Sequence, residues 1–210
     1  MNTYYENDNF FMRWFGKMAD VVLLTLLWVL CSLPLVTIGA STIALYDAIA
    51  RCVHGTHESP FKYFFHVYKK ELLRGILITL LWALLGFGLY MGYMYLYQWG
   101  KTNSLAAIYS MVYLGTLLIP VGIFAWLIGL EARFQYGFFG LHKAAATFAI
   151  VHLPTTGILL GIVAVAVVIA VFVPAMVLLL PGIVVTLHSW LIEKVFKKYI
   201  GEEEHDDTAE

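Results

Sequence analysis

Few side chains in this sequence could carry out acid–base or metal chemistry, and they lie at the edges of its apolar segments. The stretch His54-Gly-Thr-His57-Glu58 brings two imidazoles and a carboxylate together, as a metal site would. Its spacing is not His-Glu-x-x-His, and Gly55 interrupts the helix that such a pair needs, so we interpret it as a solvated turn. His152 and His188 lie near the ends of apolar segments, where we expect polar rings to reach the surface. We predict no metal site and no cofactor.

The sequence also lacks the recurring motifs of enzymes. It contains no Ser/His/Asp constellation, paired carboxylates, Walker loop or glycine-rich nucleotide motif. Its long uncharged stretches hold none of the acidic or basic groups that ion-coupled carriers bury at mid-membrane. We therefore expect neither an enzyme nor an ion-coupled transporter.

The most unusual polar stretch, Leu33–Thr42, surrounds a proline inside an apolar segment. Pro34 has no backbone N–H and frees a carbonyl one turn earlier, which nearby hydroxyls can satisfy. One interpretation is a tolerated kink. The other is a hinge or a break that lines a substrate path, as in transporters with discontinuous helices. The residues concerned are Pro34, Thr37, Gly39, Ser41 and Thr42.

Aromatic residues crowd one later segment: Tyr90, Tyr93, Tyr95, Tyr97 and Trp99. Tyr and Trp collect where hydrocarbon meets lipid headgroups, so an aromatic belt is the first interpretation. The second is an outer aromatic platform on which a sugar ring stacks.

Two Gly-x-x-x-Gly patterns allow close helix packing, one at Gly88 and Gly92 and the other at Gly157 and Gly161. They serve either packing within the chain or a homodimer, and the sequence leaves both open.

The polar, aromatic and glycine residues described above lie within or beside four stretches that contain no charged residue. They lie between Asp20 and Asp47 and at 75–100, 102–130 and 144–192. About 20 apolar residues cross a bilayer as a helix, so the last stretch, roughly 74 Å long if helical, must fold back near Val173–Met176. We predict an all-α, polytopic membrane helix bundle, a single domain over 1–200, followed by an acidic disordered tail at 201–210. Its five spans are 21–46, 75–99, 104–130, 154–173 and 175–193, the last of them kinked at Pro181.

Lysine and arginine decide the orientation of such a bundle. Ten of the 13 flank one side of the predicted spans, and Arg13, Lys17 and Lys101 flank the other. This places the C-terminus in the cytoplasm and, with five spans, the N-terminus outside. In the alternative, Pro34 and Gly39 break the first span into a re-entrant hairpin, and the N-terminus lies inside.

A short motif recurs. Ala-Arg-x-x-x-Gly occurs at 50–55 and 132–137, and Gly-Ile-Leu at 75–77 and 157–159, both at an offset of 82 residues. In each copy a span precedes the Ala-Arg and another begins at the Gly-Ile-Leu. We interpret this as a parallel two-span repeat about an axis along the membrane normal.

Between the first two spans, Glu58–Arg74 mixes aromatic and basic residues at helical spacing. We predict an amphipathic helix on the cytoplasmic lipid surface, with aromatic residues toward the lipid. Its members include Lys62, Phe64, Phe65, Tyr68, Lys69, Lys70 and Arg74.

The N-terminal third carries a family resemblance. The run from Asn9 through Asp20, then Leu27–Gly39 and Ala44-Leu45-Tyr46, resembles the opening signature of the YesL-like family of bacterial membrane proteins. The biochemical function of that family is not established, so the resemblance implies no site residues. It implies a context, because such proteins are often encoded beside carbohydrate ABC importers and polysaccharide-degrading enzymes.

These observations together favour a non-enzymatic accessory protein of the bacterial cell membrane that serves carbohydrate uptake. Its expected partners are the lipid bilayer, the permease subunits of an ABC importer or a membrane sensor, and no nucleic acid. The alternative is a small facilitator or channel for a neutral solute such as a sugar, with its path past Pro34–Gly39. A membrane enzyme is a third, weaker alternative.

Overall fold

The structure is a computed structural model, and it describes residues 8–53, 59–134 and 136–206. Within these residues the chain is built from helices joined by short connections. The α-helices are α1 (Asp8–Cys31), α2 (Ile38–Ala48), α3 (Pro60–Lys70), α4 (Leu72–Gly100), α5 (Ser104–Thr116), α6 (Leu118–Arg133), α7 (Phe138–Val151), α8 (Leu153–Phe172) and α9 (Leu180–Asp206). Short 3₁₀ helices lie at Leu35–Thr37 and Pro174–Leu178, and a π-helix at Ile49–Val53.

Three helical stretches in the described part of the chain are long and apolar enough to cross a membrane. They are Leu72–Gly100, Ser104–Arg133, which joins α5 and α6, and Leu153–Phe172. Most of their large apolar side chains are exposed, as expected of surfaces that face lipid rather than water. The all-helical class is therefore confirmed for the described residues, with three candidate membrane spans. These three stretches coincide with the predicted spans at 75–99, 104–130 and 154–173.

The end of the longest uncharged stretch folds back where we expected. Helix α8 ends at Phe172, a 3₁₀ helix follows, and α9 begins at Leu180. The predicted kink at Pro181 is wrong, because this proline lies in the first turn of α9. Its missing N–H costs nothing there, since the first N–H groups of a helix have no intrahelical partner. Helix α9 then continues through 201–206, into the segment predicted as a tail, and 207–210 lie outside the described residues.

The prediction of one helix across 21–46 is wrong, because the chain reverses between α1 and α2. The indole Nε1 of Trp28 donates to Thr42 Oγ1 at 3.0 Å, and the hydroxyls of Ser32 and Ser41 lie 2.6 Å apart. In a continuous helix the first pair would be separated by about 21 Å along the axis. Helices α1 and α2 therefore form a hairpin, as in the alternative interpretation of this stretch.

The connection of this hairpin satisfies its own backbone groups. Thr37 Oγ1 lies within hydrogen-bond distance of the carbonyls of Cys31 at 2.7 Å and Pro34 at 2.6 Å. The side chains of Leu33 and Leu35 are 72% and 75% exposed. A turn that is apolar outside and hydrogen-bonded inside suits hydrocarbon, where no water is present to bind free carbonyls.

Helix α2 is the centre of the packed core, and nine of its eleven residues are buried. It touches α4 at two glycines. A Cβ atom on Gly39 would collide with the carbonyl of Gly75, and one on Gly75 would collide with the backbone of Ala40. The amide of Gly39 donates to Thr79 Oγ1 at 2.8 Å across the same contact. The absence of side chains at these two positions lets α2 lie directly against α4.

The predicted lipid-surface helix is shorter than expected and faces the protein. Helix α3 ends at Lys70, and Arg74 belongs to α4. Phe64 is fully buried in the core and stacks on Tyr68 with ring centroids 6.2 Å apart, so the expectation that Phe64 faces lipid is wrong. Phe65 is half-buried. The basic side chains of α3 remain exposed: Lys62, Lys69 and Lys70.

The two Ala-Arg motifs are followed by the same order of elements. After Arg51 come α3, a one-residue break at Glu71, and α4. After Arg133 come α7, a one-residue break at His152, and α8. This order agrees with a duplicated unit, and the duplication itself stays a prediction.

The contact of α2 with α4 generates a first prediction. Gly75→Ala should lower the free energy of unfolding by about 1–3 kcal/mol, because the new methyl group has to push α2 away from α4. The measurement is thermal unfolding of the purified protein in detergent. The matched control is Gly88→Ala on the same helix, where a Cβ meets no atom within 4 Å. Equal melting temperatures for the two variants would contradict this view of the contact.

Candidate functional site

Charged residues that bound the uncharged stretches come together where α2, α3, α4 and α6 meet. They surround a cavity of about 610 Å³, which we call the ion-pair cavity. Its volume lies within the range of about 300–1,000 Å³ that is usual for small-molecule sites. The cavity is lined by Ile43, Asp47, Arg51, Tyr63, His66, Val67, Lys70, Glu71, Arg74, Glu131, Ala132, Arg133, Phe134, Tyr136 and Gly137.

Asp47 links three elements on one side of this cavity. Its carboxylate accepts from Arg51 Nε at 2.6 Å and from the Tyr63 hydroxyl at 2.9 Å. The Arg51 guanidinium also donates to the carbonyl of Ala132 at 3.4 Å. The Asp47 side chain is 8% exposed, so its charge needs these donors. The end of α2 is thereby tied to α3 and to α6.

Glu131 is the most deeply buried carboxylate of the cavity. Its side chain is 0% exposed, and Arg74 Nη1 lies 2.9 Å from its Oε1. The angle of approach is not that of a hydrogen bond, and neither carboxylate oxygen has a hydrogen-bond partner among the described residues. Arg74 donates instead to the carbonyl of Tyr136. Glu131 thus has an electrostatic partner and unused acceptor capacity.

A third pair fixes α9 to α6. Arg133 donates to Glu193 through Nε, at 2.7 Å from Oε1, and through Nη2 to Oε2. Two parallel N–H···O bonds are the strongest geometry available to an arginine and a carboxylate. The Glu193 side chain is 14% exposed, so the pair is largely shielded from water.

Sequence reasoning missed most of this site. The lipid-surface helix predicted from the sequence includes Arg74, and no pattern in the sequence indicates a role for Asp47, Tyr63, Glu131 or Glu193. The available signal was the recurring Ala-Arg-x-x-x-Gly, because both of its arginines, Arg51 and Arg133, line the ion-pair cavity.

The residues predicted to form a hinge or a lining lie elsewhere, in the hairpin. Ser41 Oγ lies 3.0 Å from the carbonyls of Thr37 and Ile38. Thr42 Oγ1 donates to the carbonyl of Ile38 at 2.7 Å and accepts from Trp28. The hydroxyls of this segment thus hold the hairpin together.

The aromatic residues at the far end of α4 form an exposed group. Tyr93 and Tyr97 stack at 6.0 Å, Tyr95 and Trp99 lie 6.5 Å apart, and Lys101 Nζ lies 5.0 Å from the Tyr97 ring. Tyr90 is 52% exposed. Tyr97 lies 23 residues beyond Arg74 on one helix, which is about 35 Å. This aromatic group is therefore remote from the ion-pair cavity.

The Gly-x-x-x-Gly glycines make few contacts. A Cβ on Gly92 would meet the Tyr113 hydroxyl of α5, whereas Gly88, Gly157 and Gly161 have no atom within 4 Å of that position. The closest helix contacts use other glycines, among them Gly122 against Thr156 and Gly182 against Thr25.

Two histidines outside the cavity have partners within the chain. His152 Nε2 lies 2.9 Å from the Tyr199 hydroxyl, and His188 Nε2 lies 3.2 Å from the carbonyl of Leu159. No group of three or more His, Cys, Asp or Glu side chains is placed to hold a metal ion in the described part of the chain. The candidate ligands His54, His57 and Glu58 lie outside it.

Comparison with known proteins bears on the first part of the chain. Residues 21–93 match the family described as "Protein of unknown function, DUF624". The match spans 73 of the 210 residues. YesL-like proteins belong to this family, so the resemblance inferred from the N-terminal motif is confirmed. The matched segment covers most of the hairpin, α3 and most of α4, and with them Asp47, Arg51 and Arg74. Among curated proteins and solved structures, none matches the chain.

The buried pair of Arg74 and Glu131 generates a second prediction. Arg74→Met should lower the free energy of unfolding by about 3–5 kcal/mol, because it leaves a buried carboxylate without a counter-charge. Arg74→Met combined with Glu131→Leu should regain most of that loss. The free energy of unfolding of both variants is measured in detergent, with tryptophan fluorescence as the signal for unfolding.

The matched control is Lys70→Met, which removes a 64% exposed partner of Glu71 at 3.4 Å. It should change the free energy of unfolding by less than about 1 kcal/mol. A loss as large as that of Arg74→Met, or no recovery in the double variant, would contradict the role given to the Arg74–Glu131 pair.

Proposed function

We propose that this protein is a non-enzymatic accessory protein of the bacterial cell membrane that serves carbohydrate uptake and docks on an importer permease or a membrane sensor. The observation that carries the proposal is the charged end of the bundle. There, ion pairs join α4, α6 and α9, and hydrogen bonds of Asp47 and Arg51 tie α2 to α3 and α6. Helix α3 presents exposed lysines outward. A fixed frame with an exposed basic helix favours docking on a partner.

The hairpin supports an accessory role over a facilitator. A solute path past Pro34–Gly39 would need hydroxyls that turn toward the solute. Those of Thr37, Ser41 and Thr42 make hydrogen bonds within the hairpin. Gly39 lies against Gly75, which closes the space between α2 and α4.

The hairpin also supports a topology in which both ends of the chain lie in the cytoplasm. If α1 and α2 enter the bilayer and return to the same side, Arg13 and Lys17 join the cytoplasmic residues. Twelve of the 13 lysines and arginines then lie inside, against Lys101 alone outside. The five-span arrangement leaves three outside, so the charge distribution favours the re-entrant hairpin.

A topology measurement tests this arrangement. A fluorescent protein that matures only in the cytoplasm is fused to the N-terminus, to the C-terminus, or into the connection at 101–103. We expect fluorescence from both terminal fusions and none from the internal insertion. A dark N-terminal fusion beside a bright C-terminal one would restore the five-span topology and exclude the re-entrant hairpin.

A second measurement tests docking. The protein, purified in mild detergent from its native host, should retain permease subunits of a carbohydrate importer or a membrane sensor, identified by mass spectrometry. Lys62→Glu with Lys69→Glu should reduce that recovery at least about tenfold, as expected when like charges oppose at an interface.

The matched control for docking reverses two exposed lysines on other helices, Lys143 and Lys198. It should leave recovery unchanged. Purification of this chain alone, with normal sugar uptake in a deletion strain, would refute the accessory role. Flux of a neutral solute into liposomes that contain only this chain would favour the facilitator instead.

A further inference from the structure

The ion-pair cavity carries charges of both signs in near balance. Four cationic side chains line it, and three carboxylates oppose them: Arg51, Lys70, Arg74 and Arg133 against Asp47, Glu71 and Glu131. Glu193, just beyond the lining, neutralises Arg133. A cavity with this balance attracts neither anions nor cations strongly, whereas it offers many donors and acceptors at short range.

The guanidinium groups are already engaged, which disfavours an anionic ligand. Arg51 is paired with Asp47, Arg74 lies against Glu131, and Arg133 holds Glu193 in a two-bond geometry. A phosphate or carboxylate would have to break one of these pairs and leave a shielded carboxylate without a counter-charge. A hydroxyl group can add to such a pair, because it donates to the carboxylate and accepts from the guanidinium.

The Glu131 carboxylate gives evidence for a ligand that does not depend on the charge balance of the cavity. This carboxylate is fully buried, lines the cavity, and has no hydrogen-bond partner for either oxygen among the described residues. Buried polar atoms are nearly always hydrogen-bonded, so these two oxygens lack a donor. Because the side chain has no exposed surface, a ligand hydroxyl reaches them only when the carboxylate turns from Arg74 toward the cavity.

Aromatic rings complete the lining. Phe134 and Tyr136 lie side by side with ring centroids 5.8 Å apart, and Tyr63 of α3 also lines the cavity. Rings beside carboxylates and guanidiniums suit a molecule with apolar C–H faces and a rim of hydroxyl groups.

We propose that the ion-pair cavity binds a neutral polyhydroxylated ligand of the saccharide class, with Glu131 accepting a hydroxyl hydrogen bond. The choice of a saccharide among polyols rests on the proposed function. The protein would then sense a sugar at the charged end of the bundle through the same pairs that hold α2, α4 and α6 together.

The test uses the full chain in nanodiscs, without any importer. Glucose, maltose and raffinose serve as neutral probes, and glucose 6-phosphate serves as the charged one. Saturation-transfer NMR and calorimetry report binding. We expect at least one neutral probe to bind and the phosphorylated one to bind more weakly.

Two variants locate the binding. Glu131→Gln should weaken it by about tenfold or more, the effect of losing a hydrogen bond to a charged group. Gly137→Trp should abolish it, because Gly137 is exposed and lines the cavity, so a bulky side chain there narrows the entrance for a ligand. The new Cβ itself meets no atom within 4 Å.

The matched control is Gly16→Trp on α1, which is exposed, lies outside the lining, and has no atom within 4 Å of its Cβ position. It should keep the affinity of the unmodified protein. Absence of binding by every neutral probe would overturn the inference, as would binding that survives Gly137→Trp. A phospholipid retained in native mass spectrometry and lost in Gly137→Trp would assign the cavity to a lipid headgroup and also overturn it.

The outcome separates this inference from the proposed function. Co-purification of an importer subunit without sugar binding by the isolated chain would leave docking intact and refute the cavity assignment. Sugar binding that Gly137→Trp abolishes, without any co-purified partner, would support the cavity and refute docking.

Discussion

Most of this structure depends on one constraint, that a backbone polar group in hydrocarbon must find its partner within the protein. The hairpin of α1 and α2 shows how the chain meets it. Pro34 interrupts the helical hydrogen bonds, and the Thr37 hydroxyl lies within hydrogen-bond distance of the carbonyls of Cys31 and Pro34. The amide of Gly39 finds Thr79 on α4. With these groups satisfied, the turn can expose Leu33 and Leu35 to lipid.

A second constraint acts on the charges. A carboxylate removed from water is stable only beside a cation or several donors. Asp47, Glu131 and Glu193 each meet an arginine from another turn or another helix. These pairs lie at one end of the bundle, and those of Glu131 and Glu193 also fix the relative positions of α4, α6 and α9. Helix α2 is tied to α3 and α6 by the hydrogen bonds of Asp47 with Tyr63 and of Arg51 with Ala132. The cavity among them is a consequence of that geometry.

The membrane character, the three most apolar spans and the fold-back near Val173–Met176 could be read from the sequence, because helix length and charge-free runs are local properties. The family resemblance could be inferred from the N-terminal motif. The sequence alone does not show whether the chain reverses at Pro34. A kinked helix and a hairpin use the same residues, and the difference lies in whether Trp28 and Ser32 meet Thr42 and Ser41 across the turn. That is a tertiary contact.

The sequence by itself determined what the chain must avoid, namely free charge and free backbone groups in the bilayer, and it placed the charged residues at the boundaries. Only the tertiary structure decided which charges meet. Arg74 and Glu131 are 57 residues apart, and Arg133 and Glu193 are 60. Their pairing depends on how helices pack, and that packing depends on close approaches such as that of Gly39 to Gly75. Helical periodicity fixes the face on which a residue lies and leaves open which helix that face will meet.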